Sequence, residues 1–230
     1  MKDFIVVSLG GSLVSTDVGP NVSYIKKICE LFKNEIRRGS RLAIIVGGGK
    51  ISRQYTDAAG RASKAVSERD LHWIGIYATR INAALLKALM KPYTPDDVLL
   101  PFGAYKTLAM KYKCVIGGGT EPGGSSDLAS IAWAKALGAK RVVNCTNVDY
   151  VYTADPRKVA GAKPLPNLSW NAYIKMVGSK FTPGASWPFD PLASIEAKRR
   201  GIIVNIVNGS NLKEVSKALR GEKFKGSVLA

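Results

Sequence analysis

Three times in this chain a short apolar, β-branched run stops at a cluster of glycines and gives way to a helix-forming segment. Phe4–Leu9 leads into Gly10-Gly11-Ser12, Leu42–Val46 into Gly47-Gly48-Gly49, and Cys114–Ile116 into Gly117-Gly118-Gly119. Apolar runs without the in-out alternation of a half-exposed strand suit strands buried on both faces, and such strands belong to parallel sheets covered by helices. Parallel neighbours need long crossovers, for which an amphipathic helix is the usual solution. The expected fold class is therefore α/β: a three-layer αβα sandwich around a mostly parallel central sheet.

The remaining segments keep the same rhythm. Asn21 is a fitting N-cap for a helix over Val22–Arg38, in which Ile25, Ile28, Cys29, Phe32 and Ile36 share one face and Gly39 marks the stop. Helices are expected over Ile51–Ser63, Asp70–Met90, Asp127–Leu137, Pro191–Arg200 and Asn211–Leu219. Further strands are expected at Val98–Leu100, Val142–Cys145 and Ile202–Val207, with an edge strand at Lys225–Leu229 and a loop or hairpin over Pro156–Pro166. No linker divides the 230 residues, so one domain is expected.

In a parallel sheet all three glycine turns fall at the carboxyl edge, where ligands bind in open α/β folds. Glycine lets backbone N–H groups surround an anion, and helix N-termini add partial positive charge. Three such turns after separate strands point to a polyanion, most naturally a chain of phosphates. Two common phosphate motifs are missing. Gly-Gly-Gly-Lys50-Ile51 lacks the hydroxyl residue that follows lysine in a Walker A loop, and no G-x-G-x-x-G occurs. At the third turn Ser125, Ser126 and Asp127 stand at the mouth of a helix. There Asp127 reads either as an acid organising chemistry or as a helix-end charge complementing the dipole. Residues 144–158 leave a strand for a polar loop in which Thr146, Asn147, Asp149, Tyr152 and Asp155 suit a base and ribose. On spacing alone the same segment reads equally as a polar turn around Asp155-Pro156.

Composition narrows the partners. A net charge of +17, from 34 basic and 17 acidic residues, favours anionic ligands. The basic residues are dispersed, with no long block and no aromatic-interleaved motif, so nucleic acid is not an expected partner. Three scattered cysteines without a C-x-x-C and a single histidine argue against a zinc site and for a reducing, cytoplasmic compartment. No apolar run approaches the roughly 20 residues that span a bilayer.

Several segments in this order (VSLGGSLV, IVGGGKISRQY, GIYATRINAALL, GGTEPGGSSDLAS, TNVDYVYTADPRK and FDPLASIEAKRRGI) resemble the amino-acid-kinase superfamily. Within it they are most similar to archaeal-type uridylate (UMP) kinases. The resemblance covers nearly the whole chain. It implies an acceptor-binding part over roughly residues 1–140 and an ATP-binding part over roughly 141–230. It also implies transfer of the γ-phosphoryl of ATP, with Mg²⁺, to UMP, and assembly as a homo-oligomer, a hexamer by the family's habit. Carried over by motif, Asp127, Asp190 and Arg53 would act in transfer. Gly48, His72, Thr120, Glu121, Pro122, Gly123, Gly124, Ser125 and Ser126 would hold the acceptor. Gly10, Gly11, Ser12, Gly49, Arg53, Thr146, Asn147, Tyr152, Asp155 and Lys158 would hold ATP; no metal ligand is assigned. On its own, Asp190 reads equally as a cap before Pro191.

Three positions depart from the family pattern. His72 stands where a carboxylate usually grips the ribose, Tyr150 where a glycine follows the aspartate, and Ser8 where many members carry a first-strand lysine. Lys50 or Lys158 would supply the missing charge. These departures keep two alternatives open. One is a kinase of the same fold with another small phosphate or carboxylate acceptor. The other is a nucleotide-binding storage or regulatory protein similar to the molybdenum storage proteins.

Overall fold

The computed structural model describes residues 3–178 and 187–230. In chain order the first half comprises β1 (Phe4–Leu9), α1 (Gly11–Val14), β2 (Ser15–Thr16), β3 (Gly19–Pro20), α2 (Val22–Arg37), β4 (Arg41–Val46), α3 (Gly49–Ala62), α4 (Glu68–Leu89), α5 (Ala104–Met110), β5 (Cys114–Gly117) and α6 (Ser126–Leu137). The second half comprises β6 (Arg141–Thr146), β7 (Val151–Tyr152), β8 (Pro164–Leu165), β9 (Asn167–Leu168), α7 (Trp170–Val177), α8 (Pro191–Arg199), β10 (Ile203–Asn208), α9 (Leu212–Arg220) and β11 (Gly226–Leu229).

One seven-stranded sheet, in the order β5-β4-β1-β6-β10-β11-β9, runs through both halves. Its first five strands are mutually parallel, and only β11 runs against its neighbour β10. Alternate residues of one strand feed opposite layers, as a pleated strand requires. Val6, Ala43 and Ile45 pack with Trp133, Tyr173 and Phe189 on one face, whereas Val7, Ile44 and Val46 pack with Ile28, Phe32 and Leu86 on the other. These two cores on either side of one sheet are the αβα sandwich expected.

Local chemistry explains the main boundaries. Asn21 accepts a hydrogen bond from the Tyr24 N–H and starts α2, and Ile25, Ile28, Cys29, Phe32 and Ile36 are its buried face. Ser67 and Asp70 form a reciprocal capping box that starts α4 before the expected Asp70. Ser125, Ser169, Asp190 and Asn211 cap α6, α7, α8 and α9 by accepting an N–H from the first turn, without the reciprocal bond.

Two expectations fail. Val98–Leu100 is not a strand; only Leu99 bridges Gly117, because the chain turns away after one contact. The terminal strand is not an edge, since β11 lies between β10 and β9. The true edge, β9, is two residues long, too short to register as a strand in the sequence. The β2–β3 hairpin and the helices α1, α5 and α7 were also not expected. The Pro156–Pro166 loop is closed by pairing of β7 with β8, as a hairpin.

Candidate active site

The order of the strands places β4, β1, β6 and β10 side by side, so the turns that follow them meet along one rim. The turns are stitched by backbone bonds. The Gly47 N–H donates to the Leu9 carbonyl (2.9 Å), Gly10 N–H to Cys145 (2.9 Å) and Gly209 N–H to Thr146 (2.8 Å). The first two turns are in main-chain contact. A β-carbon on Gly11 would lie 2.1 Å from the Gly49 nitrogen, and one on Gly49 would lie 2.2 Å from the Gly11 oxygen. Gly49 also has φ +64°, so both space and backbone conformation demand glycine there. Ser15 completes the joint, donating from Oγ to the Gly11 carbonyl (3.2 Å) and accepting the Lys50 N–H (2.9 Å).

The third turn sits farther out, on β5, and is backed by α4. Thr79 Oγ1 accepts the Gly119 N–H at 2.6 Å, and Arg80 donates to the carbonyls of Gly119 (3.3 Å) and Thr120 (3.4 Å). From the same helix, buried Asn82 donates through Nδ2 to the carbonyls of Gly47 (2.9 Å) and Gly48 (3.1 Å). One helix thus holds two glycine turns at a fixed separation. Motif and spacing alone single out neither Arg80 nor Asn82. The signal that would have placed them was a Thr-Arg-x-Asn set within an otherwise apolar helix, because polar groups in a packed helix need internal partners. An Asn82→Leu protein, with two carbonyls left unpaired, is expected to lose about 1–3 kcal/mol of stability. Urea denaturation measures it.

At the floor of the rim two carboxylates meet. Ser8 Oγ donates to Asp127 Oδ1 (2.9 Å), and the Asp190 N–H donates to Asp127 Oδ2 (3.1 Å). Asp190 caps α8 through a bond from the Ala193 N–H (2.8 Å), so its capping reading is correct, and its backbone reaches Asp127 as well. Asp127 keeps a partly open surface at the mouth, but protein encloses it on the other sides. That burial pushes its pKa up to about 6 against the pull of Ser8 and the Asp190 amide, with the Asp190 charge adding to the rise. Burial also raises the pKa of Asp190, opposed by the Ala193 and Leu192 amides and Ser125. Ser125 itself caps α6 by accepting the Leu128 N–H at 3.1 Å, and Ser126 opens that helix.

The loop after β6 borders a cavity of about 490 Å³ lined by Tyr150, Tyr152, Asp155, Lys158, Tyr173 and Trp187 among others. Thr146 ends β6 beside Gly10, and Asn147 follows it into the loop that borders this cavity; neither is among the cavity's lining residues. Tyr150 has no positive φ, so its side chain replaces glycine there without backbone strain. Its ring meets Tyr152 edge-on at 6.1 Å and fills one wall of the cavity. Asp155 is paired with Arg157 at 3.0 Å. Asp149 accepts from Asn208 Nδ2 (2.8 Å) and from Lys225, tying the loop to the neighbouring strands, and it is not among the cavity's lining residues.

Of the expected acceptor residues, Thr120, Glu121, Pro122, Gly123 and Gly124 line a separate opening of about 420 Å³ beside α6 and α8. Gly48 packs on Ser52 and Thr79 between α3 and α4. His72 is half-buried on α4, in helical register with Ile76 and Thr79, which abut Gly119. Ser12 and Arg53 are exposed along the rim. Among the described residues no group of three acidic, histidine or cysteine side chains is placed to hold a metal ion. No described helix is long and apolar enough to cross a membrane.

A model of the amino acid kinase family matches residues 3–208. The chain belongs to the amino acid kinase family. Among its relatives is the uridylate kinase of Pyrococcus abyssi, 37% identical over 228 residues that cover 98% of each chain. The uridylate kinase of Methanocorpusculum labreanum is 32% identical and covers 98% of this chain and 94% of its own. The crystal structure of the uridylate kinase from Archaeoglobus fulgidus superposes with a TM-score of 0.86 at 31% identity, over 98% of this chain and 99% of that one.

Proposed function

We propose that this protein transfers the γ-phosphoryl group of ATP to UMP, giving ADP and UDP. The observation that carries the reading is the main-chain contact of Gly11 with Gly49, above the Ser8–Asp127–Asp190 floor. Close-packed glycine main chain beside the N-terminus of α3 suits phosphates. Full-length similarity to proteins named uridylate kinase supplies the acceptor.

In the reaction an ionised phosphate oxygen of UMP attacks the γ-phosphorus. The bond from that phosphorus to the β–γ bridging oxygen breaks, and ADP leaves with the electron pair. The nucleophile carries its charge near neutral pH, so no general base is needed and catalysis rests on positioning and charge neutralisation. The roles are those the family resemblance implies. Gly10, Gly11, Ser12 and Gly49 cradle phosphates, and Arg53 approaches from α3. Thr146, Asn147, Tyr152, Asp155 and Lys158 hold ATP, with its base in the tyrosine-lined cavity. Gly48, His72 and the 120–126 segment hold the acceptor, and Asp127 and Asp190 set the charge and register of the floor.

The residues suit Mg²⁺ delivered by the nucleotide rather than by a protein cage. No cluster of three ligands exists among the described residues, and this ion keeps much of its shell on phosphates and water. When bound it would neutralise the phosphate oxygens. We extend the proposal to a cytoplasmic homo-oligomer, a hexamer by the family resemblance. The outer face of α4 supports self-association, because Tyr77, Ile81, Leu85 and Leu89 recur at four-residue spacing and are all solvent-exposed.

A coupled assay of ADP release across nucleoside monophosphates and small phosphate or carboxylate acceptors tests the reading. The expected result is a kcat/KM for UMP at least tenfold above that for any other acceptor. Preference for another acceptor would replace UMP. ATP binding with no turnover on any acceptor would instead favour a storage or regulatory protein.

A further inference from the structure

We infer that Lys50 is the cation that meets the phosphate chain where the first two glycine turns touch, and that Asp17 holds it aside until a nucleotide arrives. The inference rests on the phosphoryl-transfer reading and deepens it by naming a substrate-contacting residue.

Lys50 follows Gly49 directly and is the second residue of α3. Its backbone is fixed to the joint, because its N–H donates to Ser15 Oγ, which in turn bonds the Gly11 carbonyl. The start of its side chain is therefore set beside the contact of the first two turns. Its ammonium group is turned away from that place, onto Asp17 Oδ1 at 2.9 Å, at the tip of the β2–β3 hairpin. Other cations near the rim are less suited. Arg80 spends its donors on the carbonyls of Gly119 and Thr120, and Arg53 lies one turn farther along α3.

The Asp17 pairing is built to exchange. The two side chains are 42% and 75% exposed, and ion pairs so open to water contribute little net stability. A phosphate chain bears more negative charge than one carboxylate, so it outcompetes Asp17 for the ammonium. Moving Lys50 leaves the hairpin in place, because Gln54 Nε2 donates to the Asp17 carbonyl (2.7 Å) and Ser15 pins the first hairpin strand. The release therefore needs only a rotamer change, not a refolding of the hairpin.

The test uses the full chain, with Mg·ATP affinity from calorimetry, steady-state kinetics on UMP, and melting of the unliganded protein. Lys50→Met is expected to melt like the parent, to bind Mg·ATP about tenfold more weakly, and to lose kcat by about a hundredfold. K50R, which keeps the charge, should recover at least a third of the lost affinity. Asp17→Asn, which removes the competitor, should tighten Mg·ATP binding about two- to fivefold. A K50M affinity loss below threefold overturns the inference, as does a D17N protein that binds more weakly than the parent. If the parent binds ATP but never turns over UMP, the acceptor reading fails, and the affinities alone still decide the role of Lys50.

Discussion

An Asp127→Asn protein is expected to be more stable than the parent at pH 7.5 and nearly inactive. The buried carboxyl titrates near pH 6 in the folded chain, above its usual 3.8, so the folded state holds the proton more tightly than the unfolded one. The sign follows from linkage. Stability falls as pH rises from about 4 to 6, and above pH 6 the full cost of keeping the ion buried is present, up to about 3 kcal/mol. The amide is isosteric and keeps both partners. Its oxygen accepts the Asp190 N–H, and its nitrogen donates to Ser8 Oγ, which only has to rotate. Chemical denaturation at pH 7.5 and at pH 4 should therefore differ less for the variant than for the parent. Turnover should fall by roughly two to three orders of magnitude, because the negative charge that orders the cations around a triphosphate is gone. Equal activity, or a loss of stability at pH 7.5, would contradict this account of the floor.

A Gly49→Ala protein should fail in the opposite direction, losing stability and activity together. The added methyl meets main-chain atoms of Gly11, including the oxygen at 2.2 Å, and no rotamer relieves it because the obstacle is backbone. The residue must also hold φ +64°, which costs alanine a further increment. Overpacking and backbone strain together amount to roughly 3–5 kcal/mol. Thermal unfolding and calorimetric ATP binding check it. By contrast, Gly60→Ala, on the same helix with nothing within 4 Å of the new methyl, should be tolerated and serves as the control.

The parts of this molecule legible in the sequence were those with strong local chemistry. Uniformly apolar strands gave the parallel sheet, Asn21 gave the start of α2, and the glycine clusters marked the rim of the site. What stayed hidden depends on pairings distant in the chain. Ser8 and Asp127 are 119 positions apart, so the serine in the first strand looked like a loss of lysine rather than the partner of an acid. Tyr173 donates to the Phe189 carbonyl at 2.8 Å and accepts its N–H at 2.9 Å, bracing the chain just before Asp190, and nothing around Tyr173 in the sequence announces it. The last strand looked like an edge because its neighbour, β9, is two residues long. That Tyr150 takes the place of a glycine without a positive φ is equally hidden, because backbone angles cannot be read from residue names.

Helix α4 behaves as a stiff rod clamped along one flank and bare along the other. Its inner flank grips the Gly47–Gly48 and Gly119–Thr120 segments, and its outer flank presents aromatic and aliphatic groups to solvent. A packing change on the bare flank thus has a direct path, through Arg80 and Asn82, to two segments of the proposed site. Were copies of the chain to pack there, as proposed above, that path would join their sites without any loop having to open or close.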